Sequence, residues 1–554
     1  MITSLRNRIH LNFGQMQNWI VFALIAFFIM FSIISVQKVS ITFDEPFHYK
    51  YGTNILNLNS DRILLPSGAG DDSKMPISAL NALPAKIASY LPGGVLRDFL
   101  QGFFAARLMT ILFSACVAYL VFRWARELYG FYAGLAAILL YIFDPNIIAH
   151  SQLVTTDIYA AGTILFSCYW MWKFASTRTI RDGMMTVLMF GLGLLAKYTS
   201  IVLLPLLLLM LLFHDLPSLV TAYKEKGVKV VGRYIGQMAV YLVVACIFAC
   251  LIVNAGFLFN RSFVPLNHYS FESHTFASIQ NISFLQNIPI PLPYPYLQGL
   301  DRVFYNEVTG AGHGAIYLLG QLHSSQGFPG YFFVASILKV PIASQLILVI
   351  SFVVYAVNRQ RRRLFLRNEI FLLVPVIFYA IYFNFFYNTQ IGIRFYLVVF
   401  PLLYVFAGNL FTTGQEFSRN QKIAVFVLAA WLVASVVSYY PYYLSYFNEI
   451  VWDRRFAYKY LSDSNIEWGQ GENYLHDYRA AHPYAIYMPS RPRSGLIVVR
   501  ADFLVGVSPK SHPDLYKWLR ENFQPTGTIA YEYLVFDISP HELKQFCSTT
   551  NYCH

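Results

Sequence analysis

An acidic pair, Asp44 and Glu45, follows the first hydrophobic run of the chain, and a third acid, Asp157, directly precedes another. Carboxylates placed where membrane helices emerge are costly, and they commonly mark functional sites. A carboxylate in such a place can serve as a general base that takes the proton of an attacking hydroxyl. The pattern therefore predicts an enzyme whose chemistry occurs at the boundary between membrane and water.

Each of these acids also has a simpler interpretation. Asp44 could be a solvated loop acid, and Glu45, which points away from Asp44 on an extended segment, could form a structural ion pair. Asp157 stands where a helix N-cap is expected. Arg107 lies inside the second apolar run, where a cation must be paired or face a cavity, so an ion pair with Asp44 or Glu45 is expected.

The composition indicates the elements that must position these residues. Of 554 residues, 56% are hydrophobic and 13% are charged, about half the charged fraction of a soluble protein. We predict a polytopic α-helical membrane protein with about eleven transmembrane helices, since many apolar runs approach the roughly 20 residues that cross a bilayer. These runs lie near 18–38, 102–122, 130–143, 158–174, 183–197, 200–213, 234–256, 331–356, 369–387, 395–412 and 423–440.

The net charge of +12 does not indicate a nucleic-acid partner, because Lys and Arg cluster in alternate short loops between apolar runs. This distribution follows the positive-inside rule. It predicts a cytoplasmic N-terminus and, with an odd number of crossings, an external C-terminus. We expect a transmembrane core at 1–440 with external loops at 39–101 and 257–330.

Residues 441–554 are more polar and predict a small external α/β domain. Period-two patterns predict strands at 495–499 and 531–537, and a helix-like stretch covers 513–522. Cys547 and Cys553 could form a local disulfide if this region faces an oxidising compartment. No compact His/Cys cluster requires a metal, although a divalent cation near Asp44 and Glu45 stays open.

Several strings together resemble one family of enzymes. They include FDEPFHYKYG (43–52), SKMPISALNALPAK (73–86), DPNIIAHSQLVTTDI (144–158), NTQIGIRFYLVVFP (388–401) and LSDSNIEWGQ (461–470). In this order they look like membrane glycosyltransferases of the GT-C fold, closest to the protein O-mannosyltransferase and aminoarabinose transferase group with its bacterial members. The resemblance implies inverting transfer of a sugar from a polyprenyl-phosphate carrier to an acceptor hydroxyl, without a nucleotide sugar or redox cofactor.

The resemblance also implies roles for particular residues. Asp44 matches the catalytic base, and Asp157 matches a second-loop acid that binds the acceptor or the sugar. Lys74 and Arg394 match cations that hold the carrier phosphate, where arginine offers paired, charge-assisted hydrogen bonds. Met75 stands where the family often has proline. An exposed loop lysine and an interfacial arginine reaching towards water are the simpler alternatives.

A second set of substrate-binding candidates has weaker support. His48 and Tyr49 follow the acidic pair, while Lys197 and Lys339 match family lysines near helix ends, although such lysines also reach towards water for solvation alone. Arg107 is included with its ion-pair alternative. Glu45 is counted with Asp44 and Asp157 among the catalytic candidates, because it could orient Lys74 or a bound cation, or tune Asp44.

A lipid or solute transporter is the alternative function, but transporters often contain internal repeats and none is visible here. The resemblance predicts a bacterial inner-membrane enzyme whose C-terminal domain is periplasmic. The sugar is not identified, and the acceptor could be a protein, lipid A or a cell-envelope glycan.

Overall fold

The computed structural model describes residues 2–64, 73–311, 315–414 and 416–553, so parts of both predicted external loops, 65–72 and 312–314, lie outside the described residues. The helices of the first half are α1 (Ile2–Val36), α2 (Glu45–Leu56), α3 (Ala79–Ala88), α4 (Val95–Gln101), α5 (Phe103–Tyr129), α6 (Phe131–Ile142), α7 (Pro145–Ser151), α8 (Asp157–Thr177), α9 (Ile180–Leu194), α10 (Leu203–Lys226), α11 (Val228–Gly256) and α12 (His274–Gln280).

The second half contains shorter helices and the strands. Its helices are α13 (Tyr294–Thr309), α14 (Tyr331–Lys339), α15 (Ile342–Val357), α16 (Arg359–Arg362), α17 (Ile370–Phe385), α18 (Phe400–Ala407), α19 (Arg419–Val437), α20 (Glu472–Ala481), α21 (Ala501–Val505), α22 (Lys517–Asn522) and α23 (Pro540–Thr549). Its strands are β1 (Ile316–Leu318), β2 (Gln321–His323), β3 (Ile486–Tyr487), β4 (Gly495–Arg500), β5 (Gly527–Ile529) and β6 (Tyr533–Ile538).

The predicted helical membrane protein is confirmed, since every predicted apolar run contains a helix. Within the described ranges, five helices are long and apolar enough to cross a membrane, namely those at α1, α5, α10, α11 and α19. The number rises to seven if each of two bent helix pairs forms one span, and α17 and the segment 400–411 are shorter apolar helices. Eleven crossings therefore stay a prediction.

The run at 331–356 was expected to form one helix, and the structure corrects this. Helices α14 and α15 meet at an angle of 115°. Pro341 lies between them, and the preceding Val340 is extended at φ −92° and ψ 135°. Proline lacks a backbone N–H and disfavours helical conformation in the residue before it, which explains the break.

Close contacts through glycine pack α5 against two neighbours. A Cβ added at Gly162 of α8 would lie 2.6 Å from the Phe113 ring, and one at Gly134 of α6 would lie 2.7 Å from the Phe122 carbonyl oxygen. Small residues allow membrane helices to approach in this way. Through these contacts α5, which carries Arg107, packs closely against α6 and α8.

The predicted C-terminal strands are confirmed as β4 and β6, which pair antiparallel at the centre of a sheet with the order β3-β4-β6-β5. The predicted helix at 513–522 is shorter than expected, because residues 512–517 form successive turns with Leu515 N–H donating to His512 O and Lys517 N–H to Asp514 O. Helix α22 begins only at Lys517. Cys547 and Cys553 form a disulfide.

Candidate active site

The segment that leads to Asp44 is held by hydrogen bonds to residues 468–470. Ser40 N–H donates to the Gln470 carbonyl at 3.0 Å, and Phe43 N–H donates to the Trp468 carbonyl at 2.9 Å. Helix α2 then begins at Glu45 with a proline in its first turn, where the missing N–H costs nothing. Asp44 occupies the N-cap position, but its side chain does not cap the helix. Its carboxylate therefore serves other partners.

Those partners are the two cations that the resemblance implies for phosphate binding. Arg394 Nη1 lies 3.0 Å from Asp44 Oδ2, and Lys74 Nζ lies 3.9 Å from Asp44 Oδ1. The Asp44 side chain is 20% exposed, while the cations are about half as exposed. Asp44, Lys74 and Arg394 are called the open cluster below. The structure thus brings together three predicted residues from three distant segments.

Arg394 lies in a short 3-10 turn, Ile393–Tyr396, and its guanidinium is fixed by an aromatic contact. The guanidinium carbon is 4.0 Å from the centre of the Trp468 ring. Its Nε is buried without a hydrogen-bond partner. A buried donor without an acceptor carries a desolvation cost, so an acceptor oxygen placed here would stabilise it. Trp468 thus makes both a backbone contact with Phe43 and a stack on Arg394.

Lys74 is positioned by a residue that sequence reasoning missed. The buried Arg62 donates from Nη1 to the Lys74 carbonyl at 2.7 Å, from Nη2 to the Tyr198 hydroxyl at 2.9 Å and from Nε to the Pro295 carbonyl at 2.6 Å. It thereby joins the segment before Lys74 to α13. Nothing in its sequence context distinguished Arg62 from a solvated loop arginine.

The charges of the open cluster determine its protonation. Burial by itself would raise the pKa of Asp44, but Lys74 and Arg394 outweigh that effect and hold the pKa of this carboxyl well below its usual range. Burial, together with the charge of Lys74, lowers the pKa of His48 to about 3. At neutral pH the site thus contains an ionised Asp44 and an uncharged His48, whose Nδ1 is 3.5 Å from Ser78 Oγ.

Glu45 is in a different environment, which supports the structural ion pair that the sequence left open. Its carboxylate is completely buried; Oε1 accepts from Arg107 Nε at 2.8 Å and from Val154 N–H at 2.9 Å, and Oε2 accepts from Thr42 N–H at 2.7 Å. Arg107 also donates from Nη2 to the Ser40 carbonyl at 2.7 Å. The expected Glu45–Arg107 ion pair is present. We call Glu45, Arg107, Thr42 and Val154 the closed cluster, and it holds the segment before Asp44 against α5 and the loop before α8. A catalytic role for Glu45 stays a prediction.

Asp157 lies at the start of α8 and pairs with a predicted lysine. Lys197 Nζ is 2.6 Å from Asp157 Oδ1 and 4.3 Å from the centre of the Phe395 ring. The N-cap of α8 is Thr156, whose side chain forms no capping hydrogen bond. Since Phe395 follows Arg394, the Asp157–Lys197 pair adjoins the open cluster.

The segment before Asp157, from the end of α7 onwards, contains further buried polar atoms without hydrogen-bond partners. They are His150 Nδ1, Gln152 Nε2 and Thr155 Oγ1. Such atoms are rare in folded proteins and call for a ligand or water. Together with Arg394 Nε, these atoms offer hydrogen-bonding capacity that no protein group satisfies.

Two predicted substrate-binding residues have other contacts. Lys339 is buried and donates from Nζ to the Leu444 carbonyl at 2.8 Å and also to the Asn465 carbonyl, so it holds the segment after α19 against α14. The Tyr49 ring packs 5.3 Å from the ring of Phe103 at the start of α5. These contacts account for the positions of both side chains, and substrate binding by Lys339 and Tyr49 stays a prediction.

Asp463 was not singled out from sequence, although it lies in the string LSDSNIEWGQ. Burial raises its pKa to about 7, against the opposing charge of Arg394. Its Oδ1 accepts from Ser464 N–H at 2.6 Å, and its φ of 58° is unusual for a residue other than glycine. The string was informative as a family marker, but the burial of this carboxyl depends on the folded chain.

Within the described residues, no group of three or more His, Cys, Asp or Glu side chains could hold a metal ion. A divalent cation beside Asp44 would also meet the positive charges of Lys74 and Arg394. The residues present at Asp44 therefore do not fit a metal site.

Part of the chain is similar to a known protein family. Residues 87–231, roughly a quarter of the chain, match the model of the dolichyl-phosphate-mannose-protein mannosyltransferase family. The match confirms the predicted resemblance. It includes α5 with Arg107 and the start of α8 with Asp157. No curated protein sequence matches the chain.

Similar solved structures come from a bacterium and an archaeon. ArnT from Cupriavidus metallidurans bound to undecaprenyl phosphate is 12% identical, with 94% of this chain and 98% of that chain covered and a TM-score of 0.49. The Archaeoglobus fulgidus oligosaccharyltransferase in the apo form is 13% identical, with 82% and 59% covered and a TM-score of 0.45. AglB from the same organism, in complex with an inhibitory peptide and a dolichol-phosphate, is 12% identical, with 83% and 59% covered and a TM-score of 0.45.

Proposed function

We propose that this protein is an inverting glycosyltransferase that moves a sugar from a polyprenyl-phosphate carrier to an acceptor hydroxyl at the external membrane face. The open cluster is the observation that carries the proposal, because it combines one ionised carboxylate with two cations and an unpartnered buried donor. The matched family is named for dolichyl-phosphate-mannose, a sugar on a polyprenyl phosphate. A base and a phosphate site are the two parts that this chemistry needs.

The first step is an exchange of partners. An incoming phosphate competes with Asp44 for Lys74 and Arg394, and Arg394 Nε supplies a further hydrogen bond. When the cations turn to the phosphate, the interactions that hold the pKa of Asp44 low are weakened. Asp44 becomes a stronger base when the donor is bound. The pairing with Lys74 and Arg394 thus couples donor binding to activation of the base.

The second step is the transfer. The acceptor oxygen attacks the anomeric carbon, its proton goes to Asp44, and the bond between that carbon and the phosphate oxygen breaks with the electron pair leaving on the phosphate. Lys74 and Arg394 stabilise the charge that grows on the leaving phosphate. We assign Asp157, held by Lys197, to the hydroxyls of the sugar or acceptor. His48 contributes hydrogen bonding as an uncharged side chain.

The proposal also includes a location. We assign residues 1–440 to the transmembrane core and residues 441–554 to an external domain, with the N-terminus in the cytoplasm. The proposed membrane is a bacterial inner membrane, the donor is a lipid of that membrane, and the acceptor is a hydroxyl of a protein, lipid A or an envelope glycan. The distribution of Lys and Arg among the short loops supports this orientation.

The test is sugar transfer or release from a panel of polyprenyl-phosphate sugars by the purified protein and its Asp44→Asn variant. We expect one donor to be consumed, and the variant to lose about 10²–10⁴-fold in rate, the contribution of a general base. Asp98→Asn is the matched control, since Asp98 is an exposed acid in the same external loop.

Two outcomes would contradict the proposal. One is no turnover of any donor by the folded wild-type protein, which would direct attention to the transport of polyprenyl-linked lipids. The other is equal turnover by the wild type and Asp44→Asn, which would remove Asp44 as the base. Binding of a spin-labelled or fluorescent polyprenyl phosphate to the variant separates loss of the base from loss of the phosphate site.

A further inference from the structure

A pocket lies at the C-terminal end of α19, among residues that the proposed reaction does not use. Its volume is about 220 Å³, and its lining includes Tyr439, Phe447, Glu449, Trp452 and Arg454. The pocket thus contains a carboxylate (Glu449), a guanidinium (Arg454) and aromatic side chains.

The acid has one oxygen without a partner. Glu449 Oε1 accepts from Trp431 Nε1 at 3.0 Å, whereas Oε2 is buried and has no hydrogen-bond partner. Among the ion pairs of the described residues, none joins Glu449 to Arg454. A buried carboxylate oxygen in this state favours a ligand that donates a hydrogen bond and carries positive charge.

The Arg454 guanidinium is held in place on the other side of the pocket. The Arg454 guanidinium carbon lies 3.8 Å from the centre of the Tyr439 ring, and the group donates to the Ser438 carbonyl at 2.9 Å and to Ser438 Oγ at 2.7 Å. These bonds use only part of the five-donor fork. An anionic group bound beside Arg454 would therefore meet a preorganised cation.

The pocket adjoins a surface that faces lipid. Helix α19 is one of the helices able to span a membrane, and only 17% of its apolar window is buried. Phe426 and Val437 are 73% and 54% exposed along it, and Trp452 at the pocket is 89% exposed. An exposed tryptophan at the end of a spanning helix is typical of the interface between headgroups and acyl chains.

We propose that this pocket binds the headgroup of a zwitterionic phospholipid with a primary ammonium, of the phosphatidylethanolamine class. The ammonium donates to Glu449 Oε2, the phosphate lies beside Arg454, and the acyl chains follow the apolar face of α19. Opposite charges in one pocket match the two charges of this headgroup, and the exposed face of α19 supplies a surface for the chains. This site goes beyond the proposed transferase reaction and does not depend on it.

The experiment is native mass spectrometry of the delipidated protein with equal amounts of dioleoyl phosphatidylethanolamine, phosphatidylcholine and phosphatidylglycerol. We expect phosphatidylethanolamine to be retained about tenfold over phosphatidylglycerol, in keeping with one charge-assisted hydrogen bond. Phosphatidylcholine, which has no ammonium N–H, should bind less than phosphatidylethanolamine. Glu449→Gln should remove the preference, while Glu521→Gln, a change at an exposed glutamate, should keep it.

Arg454→Gln provides an independent second variant and should weaken retention of all three lipids, since each carries an anionic phosphate. The unfolding temperature of each lipid-free variant shows whether it is folded. An undiminished preference in folded Glu449→Gln would overturn the proposal, as would stronger retention of phosphatidylglycerol by the wild type. Competition by soluble phosphoethanolamine as effective as the lipid would also overturn it, because the acyl chains would then contribute nothing.

Discussion

Asp44 and Glu45 are adjacent in sequence, yet they belong to clusters of opposite character. In the closed cluster, Glu45 is completely buried and both its oxygens accept hydrogen bonds from Arg107 and from loop backbone. In the open cluster, Asp44 is partly exposed, its contact with Lys74 is 3.9 Å long, and Arg394 keeps an unpartnered Nε. Each cluster pairs a carboxylate with at least one cation. Only the open cluster still has a buried donor, Arg394 Nε, without a hydrogen-bond partner.

The difference indicates how a structural ion pair can be distinguished from a binding site. A buried pair whose partners are all present resists change, because removing one partner leaves an uncompensated charge. A pair that is incomplete can exchange partners with a ligand. The closed cluster joins the segment before Asp44 to α5 and to the loop before α8. It therefore fixes the position of Asp44 in the open cluster.

The largest expected effect comes from breaking the closed cluster. Glu45→Gln should lower the free energy of unfolding by about 3–5 kcal/mol, because Arg107 would remain buried without a counter-charge. Thermal unfolding of the purified protein measures this loss. Asp44→Asn, its neighbour, should change stability far less. If the two variants had equal stability, the distinction between the clusters would fail.

A double variant sharpens this prediction. Glu45→Gln combined with Arg107→Met removes both charges, and it should recover part of the stability lost in Glu45→Gln alone. No recovery would mean that the hydrogen bonds of Glu45 to Thr42 and Val154, and not its charge pairing, hold the loops together.

The two clusters also show which features of the site could be predicted from the sequence. The resemblance identified Asp44, Lys74 and Arg394, because each lies in a string with a recognisable neighbourhood, and the structure brings the three together. An ion pair of Arg107 with Asp44 or Glu45 was predictable from the cost of a cation inside an apolar run, and the structure selects Glu45. The positions of Arg62, Asp463 and Lys339 were not, because burial and backbone contacts across distant segments decide them. Hydrophobic runs likewise located the helices, but the break at Pro341 was missed because the run continues on both sides of it.

The next effect concerns the phosphate site in the open cluster. Arg394→Lys keeps the charge but loses the planar fork and the stack on Trp468. We expect kcat/KM for the donor to fall about tenfold to a hundredfold, the equivalent of one lost charge-assisted hydrogen bond. Steady-state kinetics with varied donor concentration measure it. Arg491→Lys, at an exposed arginine, is the matched control. Unchanged kinetics in Arg394→Lys would argue against bonding of this guanidinium to the phosphate.

The smallest expected effect is a shift between two pH profiles, and it tests the exchange of partners directly. The pKa of Asp44 is held below its usual range by Lys74 and Arg394, so in the free protein the base form persists into acid, and kcat/KM should show its acid limb at low pH. With donor bound, the cations face the phosphate and the pKa of Asp44 rises, so the acid limb of kcat should lie at higher pH.

The pKa of His48 is about 3, so His48 does not titrate near neutrality. The pKa of Asp463 is raised to about 7, so the profiles must be repeated with Asp463→Asn. Acid limbs that coincide in both proteins would show that Lys74 and Arg394 stay with Asp44 throughout the reaction, and the coupling of donor binding to base activation would have to be abandoned.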